Sequence, residues 1–426
     1  MEAIVLFGAF ALLILLSVPV GFAIGIATLI SLSLFSDIPL VLITQNSITG
    51  INSFPLMAIP FFILAGNLMS TGGVAKRLLN FASLCFGAIT GGLGMVTTVA
   101  CMFFAAISGS AVATTSAIGA FMIPAMKEKK YDVGFSASLA AAAGTIGVII
   151  PPSIPFVIYG VVTGTSISDL FIAGLIPGIL MGIVLIIACY ILSKKHGYKG
   201  TGYWPKPREV WTSFKDAFWA LMAPVVVLGG IYSGMFTPTE AAVVSVVYSL
   251  IIGAFVYKEL DLKGIYKALY DTIVINGITT FMVGLSMAFA SYLSLQQIPA
   301  AIAGTLLGIT TNKFLLLLII NLFLLGVGCL IDNIPATIIL SPILLPVVMK
   351  LGMSPITFGV MLTMNLAIGF ITPPYGINLF VASAVGNISI GGMMRYIKWF
   401  LGALLIALAI ITYIPETTMF LVNLLK

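Results

Sequence analysis

Charge is what this sequence has least of. Only 8% of its 426 residues are Asp, Glu, Lys or Arg, and 60% are hydrophobic. Soluble globular domains carry about a quarter charged residues, so that class is excluded. Histidine is nearly absent too: His196 is the only one, and it sits among lysines between Lys194 and Lys199. A membrane-embedded serine hydrolase would need a base near Ser108 or Ser110, and the sequence offers none there. No second Asp deep in the apolar sequence is evident beside Asp332, which disfavours an intramembrane aspartyl protease. A glycine loop ending in Gly-Lys-Ser/Thr is missing, so ATP-driven transport by this chain is not expected. The four cysteines, Cys85, Cys101, Cys189 and Cys329, have neither paired nor metal-type spacing and read as small apolar packing residues. A basic leader is missing as well. Met1-Glu2 opens on an acid, and the apolar run from Ala3 to Phe35 is too long for the core of a signal peptide. The first segment is therefore expected to stay as a membrane helix.

What is present is apolar sequence in stretches of about 17–25 residues, each long enough to span a bilayer. The expected class is an all-α polytopic membrane protein, since a barrel would show short alternating segments. The net charge of +6 lies in loops, where it speaks to topology and membrane lipid headgroups and not to nucleic acid. The aromatic, basic segment from Tyr203 to Arg208, with Trp211, reads as an interfacial anchor, or else as a docking surface for a partner subunit.

The strongest pattern is punctuation repeated in register. Pro124, Gly147, Pro151, Pro152 and Gly164 are matched by Pro346, Gly369, Pro373, Pro374 and Gly386, each 222 residues later. Apolar helices need no such marks to cross a membrane. Matched breaks imply a duplicated element with interrupted helices, the arrangement in which transporters bind substrate and ions. The reading divides the chain into a scaffold region 1–53, repeat 1 over 54–193, a cytoplasmic loop with linking helices over 194–272, and repeat 2 over 273–426. Each repeat holds a re-entrant hairpin (about 91–126 and 313–348) and a helix broken at Pro-Pro (about 134–164 and 356–386). If Lys127 to Lys130 face the cytoplasm, all but Lys313, Lys350 and Lys426 of the 19 Lys and Arg fall on that side. The second hairpin then enters from the opposite face, and the repeats are inverted.

Asp332 is the sharpest single residue. A carboxylate at membrane depth is costly and defaults to a functional role. With Asn333, Thr337 and nearby carbonyls it could ligate a small hard cation. It could equally cap the helix that begins at Ile334. The first tip offers Ser108 and Ser110, then Thr114 and Thr115. The unwound stretches offer Gly144, Thr145 and Gly147 before Pro151, and Gly369 and Thr372 before Pro373. Their carbonyls are possible ligands, although a Gly/Pro kink that only aids packing would look the same. The expected core has almost no basic residue, so an anionic substrate would be held by helix N-termini and polar side chains. Helices starting near Val112, Ser153, Ile334 and Tyr375 supply such termini. Ser153, Thr115, Asn365, Tyr375 and Asn378 are candidate substrate contacts.

Together with Pro60-Phe61-Phe62-Ile63-Leu64-Ala65-Gly66, the paired tips and the two Gly-x-x-x-Pro-Pro breaks resemble the large membrane subunit (M, DctM-like) of the tripartite ATP-independent periplasmic (TRAP) transporters. The resemblance covers essentially the whole chain. It implies a multi-pass protein of the bacterial inner membrane that works as an elevator, with the hairpins and broken helices moving against a scaffold. It implies a periplasmic substrate-binding protein and a small four-helix membrane subunit (Q, DctQ-like) as partners, and Na⁺ as coupling ion. By the same resemblance, Na⁺ would lie at Ser108, Ser110, Gly144, Thr145, Gly147 and Pro151 in one half. In the other half it would lie at Asp332, Asn333, Thr337, Gly369, Thr372 and Pro373. The cargo implied is a small organic acid, sialic acid first and a C4-dicarboxylate next. A stand-alone Na⁺/anion symporter, an Na⁺/H⁺ antiporter of similar design and a passive channel subunit are the alternatives.

Overall fold

Among the described residues, ten capped helix starts divide the apolar chain, where hydropathy alone would leave continuous runs. The computed structural model describes residues 2–35, 39–200, 202–310 and 312–425; Met1 and Lys426, used above, lie outside it. Helices α1 (Glu2–Leu15), α2 (Val20–Phe35) and α3 (Val41–Ile51) precede α4 (Ala58–Thr71) and α5 (Val74–Phe86). A helix pair follows, α6 (Gly92–Ser108) and α7 (Ala111–Glu128), then α8 (Val133–Gly144), α9 (Ile154–Thr163) and the long α10 (Ile167–His196). The middle of the chain is α11 (Pro207–Tyr232), α12 (Pro238–Ile251) and α13 (Leu262–Leu295). Helix α14 (Ile298–Ile309) leads to a second pair, α15 (Lys313–Gly328) and α16 (Asn333–Lys350). Helices α17 (Pro355–Gly369), α18 (Ile377–Gly386), α19 (Ile390–Tyr413) and α20 (Glu416–Leu425) complete the order. Among the described residues there is no strand, and seven helices are long and apolar enough to cross a membrane.

Side-chain caps fix the starts. Ser110, Asp132, Ser153, Ser166, Thr237, Asp261, Asn312, Asp332, Ser354 and Ser389 each accept a backbone N–H at the head of the helix they precede. Each satisfies a donor that the helix itself leaves unpaired. The apolar run from Ala3 to Phe35, expected as one segment, is two helices. Its turn passes through Ser17 in the left-handed region, just before Pro19. Proline disfavours helix in the residue before it, which a hydropathy reading does not register.

The two breaks fall where the sequence marks them, but they differ in setting. Residues 145–148 tighten into a 3₁₀ turn, and Pro151-Pro152 and Pro373-Pro374 are both cis. The first break is encased: the chain from Gly134 to Gly160 is buried without interruption. The second is open, with Thr357 to Ile371 buried but Pro374 and Tyr375 exposed.

Helix α8 packs on α6, α7, α18 and α19. Its Phe135 is ringed by Tyr198, Tyr396 and Phe400 at centroid distances of 5.2–5.7 Å. A second layer forms around α13, which carries α2, α3 and α4, with α12 packed on α4. Charge contributes at one place. The only two ion pairs among the described residues both belong to Arg77 of α5, 2.7 Å from Glu259 and 3.4 Å from Asp216. The Arg77 guanidinium also lies 3.8 Å from the Tyr257 ring centre and donates to the Gly73 carbonyl. This ties α5, the link from α4 to α6, to α11 and to the turn before α13.

Candidate functional site

The tip of the first pair is a knot of oxygens. Gly109 takes a left-handed turn at the end of α6, and Ser110 starts α7. Ser108 Oγ lies 2.9 Å from Thr114 Oγ1, and Thr114 Oγ1 donates to the Ser110 carbonyl at 2.8 Å. The 3₁₀ turn of the first break presses on this knot. A Cβ at Gly147 would stand 2.5 Å from the Ser110 carbonyl oxygen and 2.6 Å from Thr114 Oγ1. Gly144 is likewise packed on Thr115. Thr145 donates its hydroxyl to the Ala142 carbonyl at 2.6 Å.

The second tip is built from amide and carboxylate. Asp332 caps α16 by accepting from Asn333 N at 2.8 Å. Thr337 Oγ1 donates to Asn333 Oδ1 at 2.9 Å, and Asn333 Nδ2 reaches the Thr363 carbonyl of α17. Gly369, at the second break, packs directly on the backbone of Gly328 at the end of α15. Thr372 donates to the Ile368 carbonyl. Both breaks therefore use the same glycine, 222 residues apart, to seat against a tip. No cluster of three or more His, Cys, Asp or Glu occurs among the described residues. The oxygens gathered at the tips are hydroxyl, amide and carbonyl with one carboxylate, a set suited to a hard cation and not to a thiophilic metal.

A cavity of about 650 Å³ joins the two tips. Ser108, Gly109 and Ser110 line it from one side, and Asp332 and Asn333 from the other. The first turns of four helices border it: α7 at Ala111 to Ala113, α9 at Ile154 and Pro155, α16 at Asn333 and Ile334, and α18 at Ile377. Each contributes the positive end of a helix dipole to a cavity that no Lys, Arg or His lines, with the Asp332 carboxylate beside them.

The remaining wall escaped the sequence reading. It is made by α4, with Ile63, Gly66, Asn67 and Ser70 on one face, and by α13, with Tyr270, Asp271, Val274, Ile275 and Thr279. The spacing on α4 is the three-and-four-residue recurrence of a helix face, a signal that could have found it. A second carboxylate, the half-buried Asp271, lines the same cavity as Asp332.

The five expected substrate contacts lie outside this lining. Ser153 caps α9 and donates to the Val148 carbonyl at 2.6 Å. Asn365 donates to Asn321 Oδ1 of α15 at 2.6 Å, and Asn378 to the Ala141 carbonyl at 3.1 Å. Thr115 is buried on the far face of α7 against Gly144. Tyr375 is exposed and leans on Phe380. The polar side chains that line the cavity near these positions are Ser116 and, across it, Asn67 and Ser70.

Comparisons with known proteins agree with this architecture. Two solved transporters share the fold: YdaH of Alcanivorax borkumensis, at TM-score 0.62 and 14% identity over 87% of each chain, and MtrF of Neisseria gonorrhoeae, at TM-score 0.56 and 14% identity over 87% of this chain and 84% of that one. Closer in sequence is the isethionate TRAP transporter permease protein DctMQ of Oleidesulfovibrio alaskensis, 45% identical over 98% of this chain, which spans 66% of that relative's length. The sialic acid TRAP transporter large permease protein SiaM of Vibrio cholerae is 41% identical over 96% of both chains. A C4-dicarboxylate TRAP transporter large permease protein DctM of Pseudomonas aeruginosa is 42% identical over 87% of this chain and 86% of its own. These relatives are permeases and not enzymes, and they are consistent with a multi-pass protein of a bacterial inner membrane. The family model for the DctM component matches residues 7–417, and the chain belongs to that family, the large permease of the tripartite ATP-independent periplasmic transporters.

Proposed function

We propose that the chain is the translocating subunit of a Na⁺-coupled importer of a small organic anion. One observation carries the reading: four helix N-termini converge on a cavity that has no basic side chain. An anion can be stabilised there by backbone N–H groups and helix dipoles, but two carboxylates also border the space, so a co-bound cation is required to offset charge. The oxygen knot at Ser108, Ser110 and Thr114 and the Asp332–Asn333–Thr337 group are the places where such a cation finds ligands. Na⁺ then belongs to the same bound state as the anion, and each raises the affinity of the other.

In this reading the two helix pairs enter the membrane from opposite faces and move with α8, α9, α17 and α18 along the wall made by α4 and α13. A small membrane subunit completes the complex; the name DctMQ and the greater length of that relative support this partner. A periplasmic binding protein delivers the cargo. Relatives named for isethionate, sialic acid and C4-dicarboxylates are about equally similar, so the cargo class is an organic acid of that range.

The test is uptake into proteoliposomes that hold this chain with its small subunit. Labelled isethionate, N-acetylneuraminate and succinate are compared under an inward Na⁺ or K⁺ gradient, with and without the binding protein. Uptake that needs both Na⁺ and the binding protein is expected. Equal uptake in K⁺ removes the coupling, and uptake without the binding protein favours a stand-alone symporter.

A further inference from the structure

Two carboxylates line the cavity, and the proposed Na⁺ offsets only that of Asp332. Four helix N-termini and Asp332 face it from the side that the proposed function has moving. The fixed side presents Asp271, half-buried on α13 between Tyr270 and the apolar residues Val274 and Ile275. Asp271 forms no hydrogen bond or ion pair with any described residue. Lys267, one turn earlier on the same helix, is exposed, and the only described ion pairs are those of Arg77. A carboxylate beside an apolar wall within a membrane helix is costly, and no described residue is bonded to this one. Asp332 caps α16 and is the cation ligand of the proposed function. Asp271 has neither role, since no helix begins at it.

We infer that Asp271 is a specificity-determining residue that receives a hydrogen-bond donor or cationic group at the end of the cargo remote from its acid group. This rests on the reading of the cavity as the organic-anion site. A dipolar cavity selects a dipolar ligand: the acid group lies toward the starts of α7, α9, α16 and α18, and a hydroxyl or ammonium lies toward α13. A dicarboxylate in the same pose would set its second carboxylate against Asp271, and like charges at close range are strongly unfavourable. The cargo class is thus narrowed to hydroxy or amino acids, carboxylic or sulfonic, and plain dianions are rejected.

Three sulfonates of nearly equal size test this: 2-hydroxyethanesulfonate, 2-aminoethanesulfonate and the dianion sulfoacetate. Each is titrated against the purified complex with its small subunit, in Na⁺ and without the binding protein, and binding is read as a shift in thermal unfolding. That removes the filter imposed by the soluble partner. The wild type is expected to bind the hydroxy and amino compounds at least about tenfold more tightly than the dianion. Asp271→Asn is expected to lose most preference for the amino compound and to gain affinity for the dianion. Asp271→Glu should restore the wild-type order, which separates a charge effect from damage to folding. Wild-type binding of the dianion as tight as of the other two overturns the inference, as does an unchanged order in Asp271→Asn. Absence of any shift counts against the dipolar cavity. If Na⁺-driven uptake persists while the order is unaffected by Asp271→Asn, the inference falls and the proposed function stands.

Discussion

Asp332 can be a cap, a cation ligand or both, and one substitution separates the roles. Asn caps a helix about as well as Asp but carries no charge. Asp332→Asn is therefore expected to unfold within about 0.5 kcal/mol of the wild type, because the bond from Asn333 N is kept. Na⁺-driven uptake should fall at least about tenfold, equivalent to about 1.4 kcal/mol in coupling. Initial rates measured against Na⁺ concentration check it; an unaltered Na⁺ dependence would remove Asp332 from the coupling site. The matched glycines give a second test at this scale. A methyl at Gly147 meets the Ser110 carbonyl and Thr114, both held by the tip, so Gly147→Ala should destabilise by about 1–3 kcal/mol. Gly164 takes a left-handed turn with nothing within 4 Å of a Cβ, and Gly164→Ala should cost only about 1 kcal/mol. Thermal unfolding of the detergent-solubilised complex would show whether the order is reversed.

For the helices, much was legible before any coordinates. Tips at 108–110 and 332, breaks at 145–151 and 369–374, and ends at Gly164 and Gly386 are written in Gly, Pro, Ser and Asp, residues whose backbone preferences act locally. The opposite wall carries no such marks, and only the spacing of Ile63, Gly66, Asn67 and Ser70 hints at a face on α4. Asn67, Ser70 and Asp271 sit in unbroken helices, and only packing brings α4 and α13 to the cavity. Likewise Asn365 and Asn378 look like free polar groups in the sequence, whereas neighbouring helices take up their side-chain N–H groups. The inverted entry of the two pairs is open to direct test. In a cysteine-free background, single cysteines at Lys129 and Lys350 should label with an impermeant thiol reagent from opposite faces of the membrane. Labelling from the same face would dismiss the inverted arrangement.

At the scale of the whole molecule, the ion pairs among the described residues are concentrated at Arg77. Its side chain is 15% exposed, pairs with Glu259 and Asp216 and stacks on Tyr257. Lysine has neither the planar fork nor the flat face that this site uses. Arg77→Lys is expected to lower stability by about 1–3 kcal/mol and to slow uptake, since α5 is the strap between α4 and α6. Lys76→Ala, on the exposed side of the same helix, should change stability by less than about 0.5 kcal/mol. Equal effects in the two variants would show that the strap is held by apolar packing alone.

The encased first break has a consequence for how the protein is made. Helix α8 has 12 residues and α9 has 10, and neither is long enough to cross a bilayer. The chain between them exposes backbone that lipid cannot satisfy. This segment emerges from the ribosome before α18 and α19, two of the helices that finally surround it. It cannot be handed to lipid as an independent span. Biogenesis must shelter it at the insertion machinery, or against α6 and α7, until roughly the last tenth of the chain arrives to close the shell. The centre of this permease is thus made in the first half of synthesis and finished only near its end.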